Sequence, residues 1–282
     1  MKHIAIFPLL VVLLTVAQAV PNRSVRNRLP ARLSTQYNSN ERIVGGTTAT
    51  PNQFPYQVGI FLSSGGFCGG TLIKEDVILT AGHCAEGIGQ FECHFAAHSI
   101  NNDNEANRVI VTTRNKLVHA MWTPQTLNND IALLFLPQTV SGPGIEIMRL
   151  PSHSMESDTF EGAVATFTGW GRISQQAPNI NPQLKYANLT VTSDSECVLF
   201  YGATVVNGMK ICTDSQGGTT SPCVGDFGGP LVVNESDGLP TEIGIASFMN
   251  VAGCEAGPPA GFTRVTSYLG WIEFNAGVTI RP

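Results

Sequence analysis

The chain runs to 282 residues, 43% of them hydrophobic and 13% charged, with a formal net charge of −5. That is enough apolar sequence to bury the core of one or two domains, and 29 glycines with 17 prolines point to a turn-rich, all-β chain. From Ile43 onward 10 Lys and Arg stand against 20 Asp and Glu, an acidic balance that argues against nucleic acid or an anionic membrane as partner.

In chain order, residues 1–19 read as a secretory signal peptide: Lys2 and His3 open it, Ile4 to Val16 is a nearly unbroken apolar run, and Ala17-Gln18-Ala19 is a small-x-small cleavage site. As a membrane anchor the run is too short to span a bilayer comfortably. Residues 20–42 carry five Arg and one Glu, lack apolar periodicity and end at Arg42, which reads as a propeptide. Export implies an oxidising compartment, so the seven cysteines are expected to form disulfides rather than a metal site, with at least one left over. N-glycosylation sequons fall at Asn22, Asn188 and Asn234.

Beyond Ile43, short runs rich in β-branched and aromatic residues are separated by Gly, Asn, Asp and Pro. They predict strands at Tyr56–Leu62, Asp76–Thr80, Arg108–Thr113, Asp130–Leu136, Ala163–Thr168 and Glu242–Ser247. A helical pattern occurs only at the end, where Ser267–Phe274 groups Tyr268, Leu269, Trp271 and Ile272 on roughly one face and Gly277 acts as a stop. No repeat or low-complexity linker interrupts the chain. The residues alone fit one large barrel or two small ones.

Four separated segments carry a resemblance. Arg42-Ile43-Val44-Gly45-Gly46 resembles a zymogen activation junction. Leu79-Thr80-Ala81-Gly82-His83-Cys84 resembles a catalytic-histidine segment, with Gly82 where alanine is usual. Asn129-Asp130-Ile131-Ala132-Leu133-Leu134 resembles a catalytic-aspartate segment, and Gly225-Asp226-Phe227-Gly228-Gly229-Pro230 resembles a nucleophile loop whose serine has become phenylalanine. Thr168-Gly169-Trp170-Gly171 and Gly261-Phe262-Thr263-Arg264-Val265 match as well. From Ile43 to the C-terminus the chain is similar to the chymotrypsin-like serine proteases (peptidase S1), with the texture of the insect branch. The resemblance implies an all-β fold of two six-stranded antiparallel β-barrels, approximately residues 43–155 and 156–282, with a short C-terminal helix and a site in the cleft between them.

The resemblance assigns His83 and Asp130 as retained triad members, the first a base and the second the group that fixes its tautomer. Phe227 stands where the nucleophile would be, and a benzyl side chain has neither a lone pair for attack nor a proton to give up. Backbone N–H groups of Gly225 and Phe227 would form the oxyanion hole. Cleavage after Arg42 by a trypsin-like protease would free Ile43 to pair with Asp226. Ser221 at the pocket floor implies apolar rather than basic preference; Ser247 lies on the substrate-pairing strand; Met249 and Ala260 replace glycines at the entrance and would narrow or close it. Phe248 replaces a tryptophan. The family pairs Cys68–Cys84, Cys197–Cys212 and Cys223–Cys254, each worth about 3 kcal/mol in the loop-entropy view.

Cys93 is left alone in an alternating segment and is expected inside the barrel as a small hydrophobe. His94 and His98 are spaced for a metal only on a helix, whereas the segment reads as a strand. Asn101–Glu105 reads as a solvated loop rather than a calcium site. No cofactor or metal is expected. The functional expectation is a secreted serine protease homologue without peptidase activity that acts through a protein partner or a protease inhibitor. The alternative is an active chymotrypsin- or elastase-like endopeptidase, should Phe227 be an allele or a sequence error. A bulk storage protein has no direct support.

Overall fold

The computed structural model describes residues 45–282. The signal peptide and propeptide expected at residues 1–42, with Asn22, Arg42 and Ile43, lie outside the described residues. Among the described residues, fourteen strands form two antiparallel sheets, with three α-helices. The N-terminal sheet holds β2 (Gln57–Leu62), β3 (Phe67–Lys74), β4 (Val77–Thr80), β5 (Phe91–Phe95), β6 (Val109–Thr113), β7 (Asn115–Val118) and β8 (Ala132–Phe135), in the order β6-β5-β2-β3-β4-β8-β7. The C-terminal sheet holds β9 (Val164–Gly169), β10 (Lys185–Thr192), β11 (Lys210–Thr213), β12 (Pro230–Asn234), β13 (Pro240–Phe248) and β14 (Ala260–Arg264).

The C-terminal sheet closes into a six-stranded barrel because β9 pairs with both β12 and β10. A two-residue strand, β1 (Thr47–Thr48), adds to it at β10. The other half differs from the expected closed barrel. It is a curled sheet whose edges, β6 and β7, are consecutive stretches of chain separated by Arg114 alone, so covalent continuity stands where a ladder would. Both arrangements leave few free strand edges.

Strand β10 shows why this sequence builds a barrel wall. Lys185, Ala187, Leu189 and Val191 are buried, while the residues between them face outward, the period of two that a half-buried strand requires. Its outward Asn188, and Asn234 at the end of β12, are exposed. The N-terminal core gathers Ile60, Leu72, Ile78, Leu79, Phe91, Phe95 and Leu133, and the C-terminal core Phe167, Leu189, Ile211, Leu231, Ile243 and Phe262. Cys93 is buried in β5, as its alternation predicts.

The C-terminal helix α3 (Leu269–Ala276) follows a 3-10 turn and stops at Gly277, which adopts the left-handed conformation (φ 61°, ψ 40°) that glycine tolerates best. Tyr268, Leu269 and Ile272 are buried. A second helix was missed from sequence: α2 (Asp194–Tyr201), capped by the Ser193 hydroxyl accepting the Glu196 N–H at 3.1 Å. Its Ser-x-x-Glu start is a legible signal, but only Cys197 is buried, so no apolar periodicity accompanied it. The one-turn helix α1 (Gly82–Ala85) carries His83.

Between the sheets, β13 buries a whole carboxyl group. Glu242 is fully buried; one oxygen accepts the Thr71 hydroxyl of β3 at 3.1 Å and the other has no partner. Burial pushes its pKa well up, the Thr71 bond opposing. Because the folded-state pKa is raised, the cost is absent at acid pH and grows as pH rises above the ordinary carboxylate range. Glu242→Gln should therefore raise Tm at pH 8 and change it little at pH 4, by roughly 2–4 °C for each kcal/mol gained in a domain of this size. Thermal denaturation of both chains across that range is the check.

Candidate active site

His83 and Asp130 are brought together by one strand pair. β4 runs antiparallel to β8 with Thr80 opposite Ala132, which sets the helix after β4 against the residue before β8. Asp130 is completely buried. Its Oδ1 accepts the His83 backbone N–H at 2.8 Å, and its Oδ2 accepts His83 Nδ1–H at 2.9 Å and the Ser247 hydroxyl at 2.6 Å. Burial alone would raise the Asp130 pKa; the His83 side-chain bond and charge, then the Ser247 hydroxyl and the His83 N–H, outweigh it and leave it lowered. An ionised Asp130 on Nδ1–H leaves the Nε2 lone pair as the open acceptor of the ring.

The loop Cys223–Gly229 is a tight turn closed by Asp226 N–H to Cys223 O (2.9 Å) and Gly229 N–H to Asp226 O (3.0 Å). Both sheets hold it: Gly69 of β3 donates to Phe227 O and Gly228 donates to Ala246 O, each at 2.8 Å. Gly228 sits at φ 81°, and a Cβ there would stand 2.3 Å from the Thr80 hydroxyl, so glycine is required. Phe227 meets His83 edge to face, ring centroids 5.3 Å apart at 78°, with Trp122 6.4 Å from His83. The N–H groups of Gly225 and Phe227 have no hydrogen-bond partner among the described residues, which leaves two donors open. Among the described residues neither nearby serine stands in for the missing one: Ser247 is bonded to Asp130, and Ser221 donates to Pro222 O at 3.1 Å.

A cleft of about 310 Å³ adjoins this group, lined by His83, Phe227, Ser247, Phe248 and Met249 together with Leu127, Gln175 and Val251. Ser221 and Ala260 are buried and are not among the residues lining this cleft. Met249 packs against the Cys223–Cys254 disulfide. Gln175, which the sequence did not single out, reaches the cleft with its Oε1 3.4 Å from the Cys254 N–H. The Phe248 ring lies directly on Gly261, where a Cβ would meet it at 2.1 Å.

Asp226 faces away from the cleft and is completely buried, accepting Gly171 N–H at 2.7 Å and Cys223 N–H at 2.9 Å. Burial pushes its pKa up to about 7 against those two bonds. It makes no ion pair among the described residues, and Ile43, its expected partner, lies outside them. The three expected disulfides, Cys68–Cys84, Cys197–Cys212 and Cys223–Cys254, are all formed.

Among the described residues the one cluster with metal-ligand proximity is Cys68, His83 and Cys84, and both its sulfurs are spent in a disulfide. In the Asn101–Glu105 loop, Glu105 accepts the N–H groups of His98 and Ser99 and pairs with Arg108, so a guanidinium supplies the positive charge there.

Removing the Ser247 hydroxyl tests the electrostatics of Asp130. The stabilisation from a depressed carboxyl is present above the unfolded pKa and lost as pH falls through the folded one. Ser247→Ala should move the acid-unfolding midpoint to higher pH and cost about 1.5–3 kcal/mol at pH 7, as for a hydrogen bond to a charged group. Acid and urea denaturation give both numbers.

Comparison with known proteins agrees with this geometry. The family model described as Trypsin matches residues 43–272. The chain is 41% identical over 238 residues to brachyurin of Leptuca pugilator, covering 84% of this chain and 100% of that protein. It is 35% identical over 241 residues to collagenase of Hypoderma lineatum, covering 84% and 88%. The solved structure of HL collagenase superposes with a TM-score of 0.74 at 34% identity, covering 84% of this chain and 100% of that one. With a paired His83 and Asp130 beside an open pair of N–H donors, and with that match over most of its length, the chain belongs to the trypsin family of chymotrypsin-like serine proteases, peptidase S1.

Proposed function

We propose that the protein is a secreted serine protease homologue without peptidase activity, which works by binding another protein: as a cofactor or decoy in a proteolytic cascade, or as a ligand for a protease inhibitor. The observation that carries this reading is Phe227, whose ring meets His83 edge to face in the place a nucleophile would occupy. With no hydroxyl or thiol there, His83 Nε2 has no proton to accept. Loss of a triad costs roughly 10⁶ in turnover, leaving about 10³ over water from binding and the oxyanion hole. Met249 and Gln175 in the cleft act in the same direction, against entry of a large side chain.

Secretion is supported by the signal-peptide pattern at residues 1–19 and by three disulfides, which persist in oxidising compartments. No described helix is long and apolar enough to cross a membrane. Residues 20–42 would be a propeptide removed after Arg42 by a trypsin-like protease, leaving residues 43–282 as the protease-like domain.

A second reading, an active endopeptidase when residue 227 is serine, is favoured by the Asp130–His83–Ser247 bonding and the two open N–H donors. The relatives named above carry the names of proteases. One experiment separates the readings. The Arg42-cleaved chain and its Phe227→Ser variant are assayed on peptides with apolar P1 residues. The native chain should be indistinguishable from background and the variant at least about 10³-fold faster. Turnover by the native chain at rates ordinary for a serine protease would refute the proposal, and an inert pair would mean that the cleft is closed as well.

The activation contact has its own test. A carboxyl with a raised folded pKa lowers stability as pH rises from its ordinary value of about 4 to the 7 expected for Asp226. An Ile43 ammonium would pull that pKa down and remove the loss. Between pH 5 and 8 the uncleaved chain should lose more Tm than the cleaved chain, the contribution of Glu242 being common to both. Parallel curves would mean that cleavage leaves Asp226 unpaired.

A further inference from the structure

Lys210 opens β11, and its side chain is completely buried. A buried ammonium is costly unless paired, yet it makes no ion pair among the described residues. Its donors go to the Leu127 carbonyl and, at 3.5 Å, to the Thr263 hydroxyl, and it stands 5.9 Å from the centroid of the Phe248 ring. An apolar side chain of similar length would fill the same space without the desolvation cost.

The groups it touches explain its presence. Leu127 and Phe248 both line the cleft. Leu127 and Asn129 hold φ of 56° and 57°, a left-handed conformation that costs a branched residue energy and has to be held from outside. Asp130 follows directly, and its carbonyl accepts the Thr263 hydroxyl at 2.8 Å. Lys210 therefore ties a strained loop to the strand and ring behind it.

We propose that Lys210 is a positioning residue of the cleft: its amino group, donating to the Leu127 carbonyl beside the Phe248 ring, holds the loop that delivers Asp130 and fixes the wall a ligand meets. The role goes beyond the reading of the site as inactive, because it applies to a bound ligand and to a cleaved one alike, and its test needs no ligand.

The pH dependence supplies the signature. Burial lowers Lys210 to about 8, the attraction of Asp130 opposing. In an opened wall the amine reaches water, where its pKa is about 10.4. The open form then binds the proton more tightly, so the wall is held more firmly as pH rises through 8 and loosens below it. The other groups facing this cluster are Asp130, held low; Tyr268, whose hydroxyl donates to Asn129 Oδ1 and which burial raises to about 12; Arg264, which donates to the Lys210 carbonyl and faces Asp194 and Asp158; and His83 on Asp130.

Amide hydrogen exchange tests the proposal in the native chain. Thr123 N–H bonds to Asn128 O and Ile131 N–H to Asn129 O, so both amides report on this loop, while Leu133 in β8 reports on the core. After correction for intrinsic rates, protection of Thr123 and Ile131 should rise about tenfold between pH 7 and 9.5 in the native chain. In Lys210→Met the rise should vanish, with exchange at pH 9.5 at least about tenfold faster than native and Leu133 unchanged. Native-like exchange of the loop in Lys210→Met would overturn the proposal. So would a rise that survives in that variant, or an equal acceleration at Leu133, which marks a merely global role.

Discussion

The buried carboxylate of Asp130 is the point on which the two sheets converge. It accepts two bonds from His83 on helix α1, which follows β4 of the N-terminal sheet, and one from Ser247 on β13, while its own carbonyl takes the Thr263 hydroxyl of β14. An ionised group with no exposure survives only when such donors replace water. The cleft, the orientation of His83 and the placement of the residue-127 loop all follow from that one network, which is complete without a nucleophile.

Retention of this network explains how a phenylalanine can occupy position 227 without unmaking the site. The turn from Cys223 to Gly229 is held by main-chain bonds to Gly69 and Ala246, none of which involves the side chain at 227. The ring joins the edge of the N-terminal core and meets the imidazole edge to face, an arrangement aromatic rings favour. Chemistry and architecture are separable here because the architecture is built from backbone and the chemistry from one side chain.

Three buried ionisable groups set the character of the molecule beyond the cleft. Glu242 lies between the sheets with one oxygen unpartnered, Asp226 lies under the turn with two N–H donors, and Lys210 lies under the cleft wall with a carbonyl. Each is displaced from its ordinary titration range mainly by burial, so each links proton concentration to shape.

The sequence by itself determined a good deal. Six strands, β2, β4, β6, β8, β9 and β13, are legible as runs of β-branched and aromatic residues between turn residues, while β10, β11, β12 and β14 are not singled out. The Gly277 stop follows from a left-handed C-cap. The loop Gly225-Asp226-Phe227-Gly228-Gly229 is legible through its resemblance to a nucleophile loop, and the positive φ of Gly225 and Gly228 gives the physical reason for glycine there. Helix α2 escaped because it buries little. What tertiary structure decided were facts of contact between residues far apart in the chain. Gln175 enters the cleft; the N-terminal sheet curls through Arg114 instead of closing by a ladder; and Lys210 ends beneath Phe248. None is encoded in local pattern, because burial of a polar side chain depends on which distant carbonyl or ring the completed fold sets against it.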